Sequence, residues 1–159
     1  METNLLVDHI PRLRRYARAL LHDRDAADDL VQDTLERAVN KLHLWRPGSD
    51  MRAWLFSVMH NVFVNQIRQY RLVVALDPEQ LPNAGVMPTQ IDGVEIAAIE
   101  KALHRIPERQ REVLLLVALE QMTYEEVATA LSIPIGTVMS RLSRARERMR
   151  RLMSGSGGL

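Results

Sequence analysis

Apolar residues recur every three or four positions along both halves of this chain, and no stretch alternates between apolar and polar residues for long enough to form a strand. This spacing predicts helices throughout. Between the two halves, residues 76–91 collect prolines and a glycine and contain no lysine or arginine. We therefore predict an all-α protein in which two small helical domains, residues 1–75 and 92–153, are joined by a flexible linker at 76–91.

Three helices are predicted in the first half, enough for a small bundle. The first carries an apolar stripe that ends at Leu20, with Asp8 as its predicted N-cap. The second has Asp25 as its predicted N-cap and a carboxylate three residues later. The third runs from about Asp50 to Arg71, after a Pro-Gly-Ser break.

The second half contains the pattern of a helix-turn-helix. A capping-box sequence at Thr123 to Glu126 opens a short helix, and after a tight turn Pro134 opens a longer one that runs to the end of the domain. Two more helices are predicted upstream, one capped by Asp92 and one with Pro107 in its first turn. Residues 154–159 are predicted to be a disordered tail.

The formal net charge of +1 conceals a strong segregation of charge. Residues 134–153 hold six arginines and one glutamate, which makes +5, and residues 46–71 hold four arginines and one aspartate, which makes +3. Residues 23–36 hold six acidic residues and one arginine, which makes −5. Each patch can be a solvated helix face, but the arginines also suit phosphates and guanine edges, and the acidic stripe suits a basic protein.

Three polar helix faces carry the candidate contacts. On the last helix, the apolar stripe predicted to be buried consists of Val138, Leu142, Ala145, Met149 and Leu152. The opposite face carries Thr137, Ser140, Arg141, Arg144, Arg148 and Arg151. On the third helix, one side carries Ser57, Asn61, Asn65, Arg68 and Arg71. On the second helix, the acidic stripe consists of Asp29, Asp33 and Glu36 with Gln32 beside it. Amide and guanidinium groups of this kind can bind base edges and phosphates.

Other classes of protein fit the sequence poorly. The chain has no cysteine, no glycine-rich phosphate loop and no metal-ligand spacing among its histidines, so we expect no enzyme activity, metal or cofactor. His60 alone lies near a candidate face, and we interpret it as a polar helix residue. The N-terminus lacks a basic region followed by an apolar one, and the longest apolar run, Val113 to Leu119, is about a third of a membrane span. We expect a cytoplasmic protein without membrane insertion.

Three segments together resemble the extracytoplasmic-function (ECF) sigma factors of bacterial RNA polymerase. DAADDLVQDTLERAV at 25–39 is similar to the family's segment for the polymerase clamp helices. MRAWLFSVMHNVFVNQIRQYR at 51–71 is similar to the segment that melts and reads the minus-ten element. IPERQREVLLL, MTYEEVA and IPIGTVMSRLSRARER, within 106–148, are similar to the helix-turn-helix that reads the minus-thirty-five element.

The resemblance implies a role for each polar face. The residues implied to bind core RNA polymerase are Asp29, Gln32, Asp33 and Glu36. Those implied to bind the minus-ten element of promoter DNA are Asn61, Asn65, Arg68, Arg71 and Trp45, the last with its loop around an unstacked base. Those implied to bind the minus-thirty-five element are Thr137, Ser140, Arg141, Arg144 and Arg148. One departure is Met139, which stands where many relatives carry lysine or arginine and which cannot donate a hydrogen bond.

The resemblance thus predicts a sigma factor that binds core polymerase, recognises and melts promoter DNA, and is regulated by an anti-sigma factor. The stretch WRPGSDMRAWLF resembles the class that serves the general stress response of alphaproteobacteria. One alternative is a sigma mimic that sequesters an anti-sigma factor without touching DNA. Another is a repressor or activator that uses only the C-terminal domain, which leaves the acidic stripe without a role.

Overall fold

The computed structural model describes residues 2–76 and 94–157, and within these ranges every regular element is helical, as predicted. The helices are α1 (Glu2–Asp8), α2 (Ile10–Leu20), α3 (Arg24–Asn40), α4 (Met51–Leu76), α5 (Val94–His104), α6 (Glu108–Ala118), α7 (Tyr124–Leu131) and α8 (Ile135–Gly157), with a short 3-10 helix at Leu42–Leu44. We call α1–α4 the N-terminal half and α5–α8 the C-terminal half. The predicted linker beyond Leu76 and the predicted cap at Asp92 lie outside the described residues.

Two helix starts differ from the prediction. Asp8 is the last residue of α1, and His9 is the N-cap of α2, since Pro11 fits only within a first helical turn. Asp23, not Asp25, is the N-cap of α3, because its Oδ1 accepts hydrogen bonds from the N–H groups of Asp25, at 2.8 Å, and Ala26, at 3.4 Å. Asp25 lies inside the first turn, where its charge favours the helix dipole.

The helix-turn-helix forms as predicted. The hydroxyl of Thr123 accepts from the N–H of Glu126 at 3.1 Å, and the carboxylate of Glu126 accepts from the N–H of Thr123 at 2.8 Å. The hydrogen bond from that backbone N–H is the largest cause of the lowered pKa of Glu126. Ser132 ends α7 in the left-handed region with φ 55°, and α8 follows directly after Pro134.

The end of α8 corrects the prediction of a disordered tail from residue 154. The helix continues to Gly157, and of the predicted tail only residues 158 and 159 lie outside the described ranges. A helix that has already formed gains one hydrogen bond for each residue added, so it can extend through serine and glycine despite their low propensity.

The two halves pack against each other, which the sequence did not predict. Tyr16 of α2 lies edge-on to Phe56 of α4, with ring centroids 5.0 Å apart, inside the core of the N-terminal half. The pKa of Tyr16 is raised well above its usual value. The largest cause is burial, and the second is the negative charge of Glu112 and Glu120 of the C-terminal half. We call the contact between the halves the interdomain interface.

Two buried carboxylates of the C-terminal half find their partners in the N-terminal half. Glu120, whose side chain is fully buried, lies 3.5 Å from the Nε of Arg12 and 3.3 Å from a guanidinium nitrogen of Arg15. Glu112, also buried, forms a hydrogen bond with Nδ1 of His60, in addition to an ion pair of 4.0 Å with Arg109 on its own helix. Since a buried carboxylate is costly without a partner, the interdomain interface depends on these cross-half pairs.

Arginines complete the interdomain interface. Arg52, in the first turn of α4, donates to the backbone carbonyl of Glu120 at 2.9 Å and lies 3.4 Å from the carboxylate of Glu126. Arg111 of α6 is buried and donates to four backbone carbonyls. These acceptors are Leu20, at 2.6 Å, and Leu103, His104 and Ile106, at 2.7, 3.1 and 2.7 Å. Burial lowers the pKa of Arg111.

A histidine pair also crosses the interdomain interface. The rings of His22 and His104 meet edge to face with centroids 4.4 Å apart. Burial, then Arg111 and then His22, lowers the pKa of His104 to about 4. His104 is therefore neutral at physiological pH and adds no charge to a contact that already contains a buried guanidinium.

Candidate polymerase and nucleic-acid interfaces

The recognition helix α8 is packed on one side against the C-terminal half and has a basic face on the other side. Val138, Leu142 and Ala145 of the predicted stripe are at most 2% exposed and fix the helix against the rest of the C-terminal half, whereas Met149 and Leu152 are half-buried. Ser140, Arg144 and Arg148 are exposed, and Thr137 and Arg141 are half-buried. All five predicted minus-thirty-five residues therefore lie on α8.

The arginines of α8 differ in how free they are. Arg150 and Arg151 bind Glu147 of the same helix at 2.8 and 3.2 Å. Within residues 2–76 and 94–157, neither Arg144 nor Arg148 has an ion-pair partner. Arg144 and Arg148 are thus exposed guanidinium groups of α8 that an anion can bind without breaking an ion pair recorded in the described ranges.

The candidate minus-ten face lies along the exposed side of α4. Asn61, Asn65, Arg68 and Arg71 are all exposed and recur at helical spacing. Arg71 also lies 3.9 Å from Glu108 of α6, so the end of this face touches the C-terminal half in the packed arrangement.

Trp45 is placed differently from the other candidate minus-ten residues. Its side chain is buried with 8% of the surface exposed, and its Nε1 has no hydrogen-bond partner among the described residues. The loop that follows is exposed, bends at Gly48 with φ 90°, and is closed by a hydrogen bond from the hydroxyl of Ser49 to the carbonyl of Arg46 at 2.6 Å. In this conformation Trp45 anchors the loop, and residues 46–49 form the surface.

The acidic stripe on α3 is exposed at every predicted position, Asp29, Gln32, Asp33 and Glu36. Asp33 is also fixed by a hydrogen bond of 2.9 Å from Nε2 of Gln66 on α4. Asp29 and Glu36 have no recorded ion pair within the described part of the chain. The stripe can therefore contact a basic protein surface without breaking an internal ion pair at these two positions.

A groove beside the acidic stripe was not predicted from the sequence. It lies between α2 and α3, has Val31, Leu35 and the 52% exposed Val39 on its wall, and is flanked by Arg14 and Glu36. An apolar centre with a charged rim is typical of a protein interface. The exposure of Val39 could have been found from the helical spacing, because it falls off the buried stripe of α3.

Neither a metal site nor a membrane span is found within the described ranges. No three histidine, aspartate or glutamate side chains there are arranged to hold a metal ion, and no helix there is long and apolar enough to cross a bilayer. The described surfaces are instead an acidic face on one half and basic faces on both.

A helix-turn-helix with an arginine-rich recognition helix, packed beside a helical bundle with an acidic face, defines a DNA-binding protein with a protein-binding surface. Residues 6–60 match the family model of the Sigma2 domain of PhyR, and residues 96–149 match that of Sigma-70, region 4. The chain is 36% identical over 149 residues to the ECF RNA polymerase sigma factor EcfG of Rhodopseudomonas palustris. The aligned region covers 93% of this chain and 82% of that protein. The chain belongs to the ECF sigma factors, which bind core RNA polymerase and promoter DNA to direct transcription initiation.

Two solved structures resemble the whole chain. The sigma factor RpoE in complex with the anti-sigma factor NepR from Bartonella quintana is 34% identical, with a TM-score of 0.85 over 95% of both chains. CnrH in complex with the cytosolic domain of CnrY is 27% identical, with a TM-score of 0.69 over 97% of this chain and 88% of that one. The first similarity spans both halves, so it includes their relative arrangement as well as their separate folds.

Proposed function

We propose that the two domains of this sigma factor, residues 1–75 and 92–153, have different binding functions. The acidic stripe of α3 binds core polymerase, the exposed side of α4 with the loop at 46–49 binds the melted minus-ten strand, and α8 reads the minus-thirty-five element. The observation that carries this proposal is that one chain exposes an acidic face on α3 and, on α8, arginines without an ion pair recorded among the described residues. Tethering to polymerase raises the effective concentration of two weak DNA contacts.

Reconstituted transcription tests this proposal. Core polymerase, the purified chain and sheared bacterial genomic DNA are combined, and the 5′ ends of the transcripts are sequenced. We expect start sites that share two upstream motifs and that vanish when the chain is omitted. Transcripts without any shared upstream motif would refute the proposal that the two domains recognise two promoter elements.

Binding both promoter elements requires the two halves to separate. The minus-ten and minus-thirty-five elements are named by their positions relative to the transcription start site, so they lie about 25 base pairs apart. This separation is about 85 Å along B-DNA. A packed chain of this length has a radius of gyration of about 15 Å. The packed arrangement, with Glu112 and Glu120 buried against the N-terminal half, is therefore a state that must open before both elements are bound.

Glu120→Gln is expected to favour the open state. The amide keeps the shape of the side chain but loses the charge that pairs with Arg12 and Arg15, and a loss of about 1.4 kcal/mol raises the open population about tenfold. Because the chain has no cysteine, Asn40→Cys and Ser143→Cys allow two dyes to be attached on opposite halves. Lower energy transfer between the dyes reports opening.

Glu147→Gln is the matched control, since Glu147 pairs only within α8 in the hydrogen bonds and ion pairs recorded for the described residues. It should leave the energy transfer unchanged. Equal energy transfer in Glu120→Gln and the wild type would contradict the role of Glu120 in holding the halves together.

An anti-sigma factor is the proposed regulator. The packed arrangement resembles that of RpoE in its complex with NepR over 95% of both chains, so a partner that binds both halves would hold the closed state. We further propose that the chain is cytoplasmic, has no catalytic activity, and belongs to the general-stress class that the stretch WRPGSDMRAWLF resembles.

A sigma mimic remains the second candidate, because the family model that matches residues 6–60 is that of PhyR. An anti-anti-sigma factor PhyR, also seen with NepR, shares the fold at 19% identity, and this chain covers 47% of that structure. A mimic needs no DNA contact, so the variant of Arg144 described in the Discussion separates the two functions.

A further inference from the structure

The recognition helix α8 exposes two apolar side chains near its beginning. Ile135 is 42% exposed and Met139 is 52% exposed, whereas Val138, between them, is fully buried. Residues four positions apart lie one above the other on a helix, so Ile135 and Met139 form one small apolar patch. The patch lies beside the packed face of α8, and the helix does not need it for its own core.

The position of this patch is the part of a helix-turn-helix that contacts base edges. In this motif the N-terminal residues of the recognition helix enter the major groove. Gly136 lies between the two apolar residues, and a Cβ added there would meet nothing within 4 Å, so packing inside the protein does not demand glycine. The backbone at the start of α8 is thus open to close approach by a partner.

Neighbouring polar groups mark the partner as DNA. Ser140 adjoins Met139, and the exposed guanidinium of Arg144 lies one turn further along a helix segment with a net charge of +5. A polyanion is favoured over an apolar protein surface beside this charge. The patch and the predicted base-reading residues thus lie together at the same end of α8.

We infer that Met139, supported by Ile135, contacts the methyl group of thymine and selects an A·T pair in the minus-thirty-five element. The thioether of methionine offers no hydrogen-bond donor, and the thymine methyl is the apolar group on the major-groove edges of the four unmodified bases. A polar base edge pressed against Met139 would lose water without gaining a hydrogen bond. This inference depends on the proposed role of α8 at the minus-thirty-five element.

Removal of the thymine methyl tests the inference. The minus-thirty-five element is taken from the sequenced transcripts, and promoter duplexes are made with thymine or with uracil at every T of that element. The wild-type holoenzyme should bind the uracil duplex about fourfold more weakly, the ratio expected for one buried methyl group. Met139→Ala should bind the two duplexes equally, while Met139→Leu should keep a difference.

Two controls keep the outcomes distinct. Ile96→Ala, at an exposed aliphatic residue of α5, and uracil placed outside both elements should leave the wild-type ratio unchanged. If no minus-thirty-five element emerges from the transcripts, the proposed function falls and the inference falls with it. An element that lacks a preferred A·T pair, or a wild-type holoenzyme that binds both duplexes equally, overturns the inference alone and assigns the patch to a protein contact.

Discussion

Asp29→Lys is expected to weaken binding to core RNA polymerase at least a hundredfold. The carboxylate is exposed on α3 without a recorded ion pair in residues 2–76 and 94–157, so its replacement breaks no such pair within the chain. A like charge placed against a basic surface costs several kcal/mol, which sets the size of the effect. Fluorescence anisotropy of the dye-labelled chain, titrated with core polymerase, measures it.

Asp8→Lys is the matched control for this prediction. Asp8 is an exposed aspartate at the end of α1, where a cation is favourable for the helix, and it is not part of the acidic stripe. Its variant should bind polymerase within about threefold of the wild type. Unchanged promoter-directed transcription by Asp29→Lys would favour a regulator that works through the C-terminal domain alone.

Arg144→Ala is expected to reduce promoter binding by the holoenzyme about ten- to a hundredfold. A bidentate arginine contact with guanine is worth about 1–3 kcal/mol, and Arg144 is exposed on α8 with no ion pair recorded in the described ranges. Binding to core polymerase should stay unchanged. Gel-shift titration of the holoenzyme on a promoter found by transcript sequencing gives the ratio.

Arg150→Ala provides the same change of residue on the same helix. Arg150 already binds Glu147 at 2.8 Å, so its removal should lower promoter binding less than threefold. If neither the wild type nor Arg144→Ala binds or transcribes a promoter with core polymerase, while both bind an anti-sigma factor, the sigma mimic is the better description of the protein.

Local signals predicted the parts of the fold that depend on neighbouring residues. The capping box at Thr123 and Glu126 was identified correctly because both of its hydrogen bonds join residues three positions apart. The stripe of Val138, Leu142 and Ala145 is buried as its spacing predicted. The N-cap of α3 was misplaced by two residues because both Asp23 and Asp25 are suitable caps, and only the backbone geometry selects one.

The interdomain interface could not be predicted in this way. From the sequence alone, Glu112 and Glu120 are expected to lie on the surface, since carboxylates are rarely buried without a partner. Their partners His60 and Arg15 are 52 and 105 positions away, so no local spacing reveals the pairs. Trp45 shows the same limit, because its burial depends on how the N-terminal half closes around it.

The interdomain interface also governs how the protein responds to salt. When the halves separate, Arg12, Arg15 and Arg52 lose their acidic or carbonyl partners on the C-terminal half and become available to phosphates. Each phosphate that a cation neutralises releases counterions from DNA, so binding by the open form falls more steeply as ionic strength rises. In the packed chain these arginines are bound to the C-terminal half and are not available to DNA. Separation of the halves therefore increases both the affinity for DNA and the dependence of that affinity on salt.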